Sequence, residues 1–274
     1  AEGDVLTATV EGSITNFGNA DNVVTGYKVT RNGVDVTDNY NFGESGKGTL
    51  TIKKRTVTLT SETASKPYDG TPLEKPKVTV TGDGFVEGEA TDIRATGSIL
   101  NAVDSPVTNT ITFTPGADFN ADNYIVTKSE GTLTITPITG KIVVTVTGHT
   151  GTAVYDGTAH TVTGYDVAVS NPLYTAADFA FDGTASVTGT DAGGYPMGLA
   201  ESQFRNASAN FTEVSFVVND GGLTVDKRPV TLTSPTDSKV YDRTPLTRSD
   251  VTVGGMGFVS GEVTDIRATG SVLN

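Results

Sequence analysis

Apolar residues alternate with threonine along most of the chain. Val57 and Leu59, Val78 and Val80, Ile111 and Phe113, and Leu133 and Ile135 each stand two apart with a polar residue between them. A period of two puts successive apolar side chains on one face of a strand, so these stretches predict half-buried β-strands. Glycine, asparagine, aspartate and proline punctuate them at 69–72, 82–84 and 115–116, where turns are expected. No stretch holds a helical period for three turns. One helical turn is expected at 174–179, where Thr175 can cap Ala176, Ala177 and Asp178.

The phase of the alternation slips at three places. Leu50 and Ile52 are even-numbered, but Val57 and Leu59 are odd. Leu133 and Ile135 are odd, whereas Ile142, Val144 and Val146 are even; Leu223 and Val225 are odd, whereas Val230 and Leu232 are even. A one-residue shift turns a strand's other face to the core, so each slip marks the end of one module and the start of the next. Connections this short, without Gly/Ser tracts, restrict the angle between neighbours, and an extended rod is expected.

The pattern also repeats. Residues 54–101 align without a gap on 227–274 with 34 of 48 positions identical. Both copies read K-R-x-V-T-L-T-S, then Tyr68-Asp69 or Tyr241-Asp242, then T-P-L, G-F-V and T-D-I-R-A-T-G-S. A divergent copy begins near Lys141 and carries Tyr155-Asp156-Gly157-Thr158. A closing strand recurs as G-T-L-T-I at 48–52 and 131–135 and as G-L-T-V at 222–225. The chain therefore reads as an array: the C-terminal half of a module at 1–52, complete modules at 53–137 and 138–226, and the N-terminal half of a module at 227–274. Six or seven short strands per module suggest an all-β chain of tandem immunoglobulin-like sandwiches. The alternative is a β-grasp-like module with one short helix. Residues 2–16 also align with 260–274. Head-to-tail self-association, with 227–274 of one molecule completing 1–52 of the next, is a further expectation.

Composition narrows the function. Threonine and valine number 47 and 33 of 274 residues, in keeping with strands. Without cysteine, disulfides, thiolate metal sites and cysteine nucleophiles are excluded. A formal charge of -13 with no basic cluster argues against nucleic acid as a partner. No apolar run approaches the roughly 18 residues that cross a bilayer, so no membrane insertion is expected in this segment. Two histidines, His149 and His160, offer little for acid–base or metal chemistry. The chain is read as a non-enzyme without a cofactor.

The repeats resemble the tandem YDG or MBG-type domains of bacterial, particularly Gram-positive, cell-surface adhesins. The resemblance rests on K-R-x-V-T-L-T-S followed by Tyr68-Asp69-Gly70-Thr71, on Val154-Tyr155-Asp156-Gly157-Thr158, and on the N-Y/F … G-x-L-T-[IV] ending. Arg243 replaces the glycine of the third copy, and the middle module carries its own insert at 189–196. The resemblance implies an extracellular location on the bacterial surface, secreted or wall-anchored, and a role as stalk or adhesion region.

Several residues are candidates for chemistry. The tyrosines of the Tyr-Asp pairs are expected to bury their rings and tie their hydroxyls to backbone, and each aspartate to hydrogen-bond within the next turn. Tyr174, Asp191 and Tyr195 are the candidate ligand-binding group for a host glycan, mucin or protein, because they look loop-borne and belong to one module. Asp118, Asn120 and Asp122 place oxygen ligands at alternate positions and are the candidates for calcium. Arg94 and Arg267 are expected to pair with Asp92 and Asp265. The glycine-rich 43–49 stretch leads into a strand and is read as a turn, not a phosphate loop. Lys54 or Lys227 with Asn39 or Asn123 are the conceivable partners of an isopeptide crosslink.

Overall fold

The computed structural model describes residues 2–270. The chain divides into two compact units, Ala1–Pro137 and Ile138–Asn274. Among the described residues the regular structure is strand apart from single 3-10 turns, so the chain is all-β. Among the described residues no helix is long and apolar enough to cross a membrane.

In the first unit, the strand Arg55–Ser61 lies between two neighbours. Val78–Gly82 pairs with it antiparallel, from Val57↔Gly82 to Ser61↔Val78. Tyr124–Ser129 pairs with it in parallel, from Tyr124↔Arg55 to Ser129↔Thr60. Past a break at Glu62 and Thr63, the strand Ala64–Pro67 runs on beside Gly131–Thr136, again in parallel. Gly131–Thr136 takes Val107–Asn109 antiparallel on its other edge. Two ribbons complete the module: Leu73–Glu74 with Ser98–Ile99, and Ala90–Ala95 with Ile111–Pro115.

An immunoglobulin-like sandwich is antiparallel in its main ladders. Here the first and last strands of the module run side by side in the same direction. Such a pair cannot be joined by a hairpin and needs a long crossover, and the intervening ribbons supply it. A β-grasp-like module would place its helix in that crossover. This module has only 3-10 turns there, at Ala102–Asp104 and Ala121–Asn123.

Two apolar clusters fill the module. Val57, Leu59, Ile111 and Tyr124 are buried together, with Phe85, Phe113 and Phe119 packed against them. Leu73, Ile99, Leu133 and Ile135 form the second, which Tyr68 and Val107 flank. Val57, Leu59, Ile111, Leu133 and Ile135 point inward, as the alternation requires. At the break, side chains take over from the ladder: Glu130 Oε1 accepts the Ile111 N–H at 2.8 Å, and Lys128 Nζ donates to the Ile111 carbonyl at 2.7 Å.

Residues 138–226 repeat this pairing strand for strand. Ile142–Gly148 lies between an antiparallel Tyr165–Val169 and a parallel Val214–Asn219. Thr150–Val154 continues in parallel beside Gly222–Asp226, which takes Gly193–Pro196 on its far edge. His160–Thr163 pairs with Ser186–Gly189, and Phe179–Phe181 with Phe204–Asn206. The turn expected at 174–179 is present: Ala176–Asp178 is a 3-10 turn with a capping box between Thr175 and Asp178.

The remaining segments are partial. In residues 4–52, Gly18–Arg31 is a single long strand that pairs antiparallel with Asp4–Glu11 and, over its first part, with Lys47–Ile52. In residues 227–270, Val230–Thr233 pairs with Thr252–Gly255. Arg228 donates to the carbonyls of Gly257 and Met256 at 2.7 Å each, and to that of Tyr155 at 3.4 Å.

Candidate functional site

The Tyr-Asp pairs build one turn three times. Asp69 Oδ1 accepts from the Thr71 N–H at 2.9 Å and the Thr71 hydroxyl at 2.7 Å. Asp156 does the same with Thr158 at 2.9 and 2.6 Å, and Asp242 with Thr244 at 2.9 and 2.7 Å. A basic side chain closes each turn: Lys66 on Asp69 at 2.8 Å, His160 on Asp156 at 3.0 Å and Lys239 on Asp242 at 2.9 Å. The Lys66 ammonium, then the Thr71 hydroxyl, holds the Asp69 carboxyl down at about 2. The Thr158 hydroxyl and N–H bring Asp156 to about 2 as well. These carboxylates are engaged within their own turns, as expected of turn-forming aspartates.

The tyrosines depart from expectation. Tyr68 and Tyr155 are half-buried, not buried, and Tyr241 is exposed. The Tyr155 hydroxyl donates to the Glu262 carboxylate rather than to backbone. The Tyr155 ring sits where residues 227–262 meet the middle module, and packing there replaces a core position.

The candidate ligand-binding trio is not one site. Tyr174 is buried to 2% exposure, with its ring against Phe179 and Phe211. Its hydroxyl donates to the Asp178 carbonyl at 3.0 Å and contacts Asn206 Oδ1 at 3.2 Å, and burial pushes its pKa up to about 12. It is a core residue, which corrects its reading as a loop-borne contact. Tyr195 folds onto its own insert. A Cβ on Gly189 would meet its ring, and its hydroxyl donates to the Asp191 carbonyl at 2.8 Å. The Asp191 side chain is exposed.

Tyr195 also borders an open groove of about 670 Å³ over the sheet formed by Thr150–Val154, Gly222–Asp226 and Gly193–Pro196. Thr150, Thr152 and Thr224 line it, together with Asp220. The Asp220 carboxylate already accepts the Gly198 and Leu199 N–H groups at 3.0 and 2.8 Å. The groove thus offers hydroxyls, backbone and one tyrosine.

Of the calcium candidates, Asn120 uses its side-chain oxygen to accept the Asp122 N–H at 3.0 Å and caps the turn Ala121–Asn123. Asp118 and Asp122 are exposed. Among the described residues no group of three or more histidine and acidic side chains is arranged to hold a metal ion. His149 bonds the Thr163 carbonyl at 2.8 Å and pairs with Asp166 at 3.4 Å; the carbonyl first, and then Asp166, raises its pKa. Arg94 pairs with Asp92 at 3.2 Å, and Arg267 with Asp265. The Lys54 ammonium lies 4.7 Å from the centre of the Phe17 ring. The Asn123 amide accepts the Phe17 N–H at 2.7 Å and donates to Asn16 Oδ1 at 2.9 Å.

One polar centre was not picked out from the sequence. Asn109 is fully buried; its amide donates to the Glu62 and Lys75 carbonyls at 3.1 and 2.9 Å, and its oxygen accepts the Gly97 N–H at 3.2 Å. The signal was there, since Asn109 falls in phase with Val107 and Ile111.

None of the family models, curated proteins or solved structures compared with this chain matches it.

Proposed function

We propose that the chain is a non-enzymatic repeat segment of a bacterial surface adhesin, acting outside the cell as an extended stalk or adhesion region. The resemblance of its Tyr-Asp repeats to YDG/MBG-type domains supports this reading. One observation carries it further: residues 138–226 differ in sequence from 53–137 yet keep each strand pairing, while the aspartates of the motif are taken up by turn hydrogen bonds in both. What the repetition preserves is architecture, which is what a spacer needs. The acidic charge keeps such an array soluble. Displaying the segment on a cell and removing modules one at a time tests the proposal. A stalk loses adhesion in step with the length removed, whichever module goes. Loss only on deletion of 138–226 would overturn it.

The groove beside Tyr195 favours a second reading, a glycan- or mucin-binding module in 138–226. Threonine hydroxyls around a tyrosine suit sugar hydroxyls. A glycan array separates the two readings: binding abolished by Tyr195→Ala supports the module, and no binding leaves the stalk.

A further inference from the structure

We propose, on the glycan-binding reading of 138–226, that the groove over its Gly222–Asp226 sheet takes neutral sugar chains and rejects sialylated or sulfated ones. The groove lies on the outer face of that sheet. Leu223 and Val225 are buried beneath it, so Gly222 and Thr224 face outward. Cross-strand neighbours share a face, which sets two rows across the groove: Thr150, Gly222 and Pro196, then Thr152, Thr224 and Gly194.

The first module shows what opens the groove. Leu223 lies between Gly151 and Tyr195 as Leu133 lies between Ala64 and Val107. By that register, Gly222 and Gly194 stand where the first module has Thr132 and Pro106. A Cβ on Gly222 would come within 2.9 Å of the Tyr195 carbonyl oxygen, a local reason for glycine there. Gly194 has no such reason: a Cβ would meet nothing within 4 Å, and its φ lies outside the left-handed region. Glycine weakens a strand, and one without a backbone role marks a place where another molecule comes close.

The hydroxyls are also left available. Among the described residues, those of Thr150, Thr152 and Thr224 make no hydrogen bond within the chain. In the first module the counterpart of Thr150, Thr63, accepts the Thr132 N–H at 3.1 Å. In the adjoining ribbon of the middle module, the Thr161 and Thr188 hydroxyls bond each other at 2.8 Å. Thr152 and Thr224 stand about 4.8 Å apart across the sheet, and Thr150 and Thr152 about 6.7 Å apart along it. Each hydroxyl can donate and accept, which suits the hydroxyls of successive sugar rings.

Charge decides which sugars. No lysine, arginine or histidine lines the groove, and its one ionised side chain is Asp220. Asp226 is exposed on the outward face of the same strand, and the chain carries a formal charge of -13. A carboxylate or sulfate brought here would give up water, meet no cation and face like charges. A neutral chain meets neither penalty.

An array of glucose-, galactose- and mannose-based oligosaccharides, each printed bare and sulfated and the galactosides also sialylated, tests this with the 274-residue chain. Binding to bare forms alone is expected, and it should hold from about 0.05 to 0.5 M salt because no ion pair is made. Thr224→Val removes one hydroxyl at similar shape and should weaken binding about three- to tenfold. Gly194→Val fills the groove and should abolish binding with an unchanged circular dichroism spectrum. If sialylated or sulfated forms bind and Gly194→Val abolishes that binding, the groove is a glycan site and the proposed selectivity falls. If no form binds, or Gly194→Val leaves binding intact, the selectivity and the glycan site fall together.

Discussion

The Ser61 hydroxyl donates to the Asn109 carbonyl at 2.6 Å, across 48 residues of chain and out of contact with solvent. The same hydroxyl oxygen accepts the Gly131 N–H at 3.0 Å, so one serine ties the first strand of the module to both its third quarter and its last strand. Buried polar groups rarely go unmatched, and this network is matched throughout: among the described residues no buried side-chain nitrogen or oxygen lacks a partner.

Asn109→Ala should therefore unsettle its module more than its size suggests. It leaves the Glu62 and Lys75 carbonyls and the Gly97 N–H without their partner, for a loss of about 2 to 4 kcal/mol. Denaturant unfolding of the variant measures this. A coupling with Ser61→Ala of more than about 0.5 kcal/mol in a double-mutant cycle would show that the two act as a unit.

Acid should weaken the turns in a defined range. Asp69 and Asp156 titrate near 2 in the folded chain against an ordinary 3.8, so their stabilising effect is complete above about pH 4 and is lost as the pH falls to about 2. The melting temperature should fall between about pH 4 and 2. In the double variant Asp69→Asn with Asp156→Asn, that fall should be shallower.

Tyr174 and Tyr195 should behave differently. Tyr174→Ala empties a buried aromatic position and should cost about 3 to 5 kcal/mol. Tyr195→Ala removes a half-buried ring from a surface insert and should cost about 1 kcal/mol. Thermal unfolding of the two variants is the measurement. In a spectrophotometric titration of the parent, the Tyr174 phenol should resist ionisation until about pH 12 or unfolding.

Gly82 should not accept a side chain. It has a φ of +80°, and a Cβ there would stand 2.6 Å from the Thr56 carbonyl oxygen. Gly82→Ala should destabilise by more than about 1 kcal/mol, in contrast to Gly84→Ala, which has a similar φ but open space around it. Parallel unfolding curves of the two variants check the difference.

Local features were legible in the residues. Alternation placed Val57, Leu59, Leu133, Ile135, Val144 and Val146 in the core, and all six are buried. The Thr175 cap and the aspartate turns were legible because their partners lie within a few residues. What failed was long-range. Alternation says which face of a strand is buried but not whether its neighbour runs parallel, so the pairing of Arg55–Ser61 with Tyr124–Ser129 could not be read. Tyr174 follows an Asn-Pro turn and looks like a loop residue. Its burial depends on Asn206 and Phe211, more than thirty positions away. Asn109 was passed over because it is polar, although its phase marked it as internal.

The parallel first and last strands decide how a module responds to tension along the chain. The module enters at the foot of Arg55–Ser61 and leaves at the head of Gly131–Thr136; Arg55–Ser61 runs beside Tyr124–Ser129 through six paired positions, and its continuation Ala64–Pro67 beside Gly131–Thr136 through four. Pulling the ends apart slides these strands lengthwise, so the hydrogen bonds between them are strained together. In a hairpin pulled from its open end the bonds would break in succession. Force therefore meets the ladder broadside at its strongest, and the two ribbons between the strands carry none of it until the pair has sheared. Single-molecule pulling should record abrupt rupture of a whole module, in place of a gradual peel.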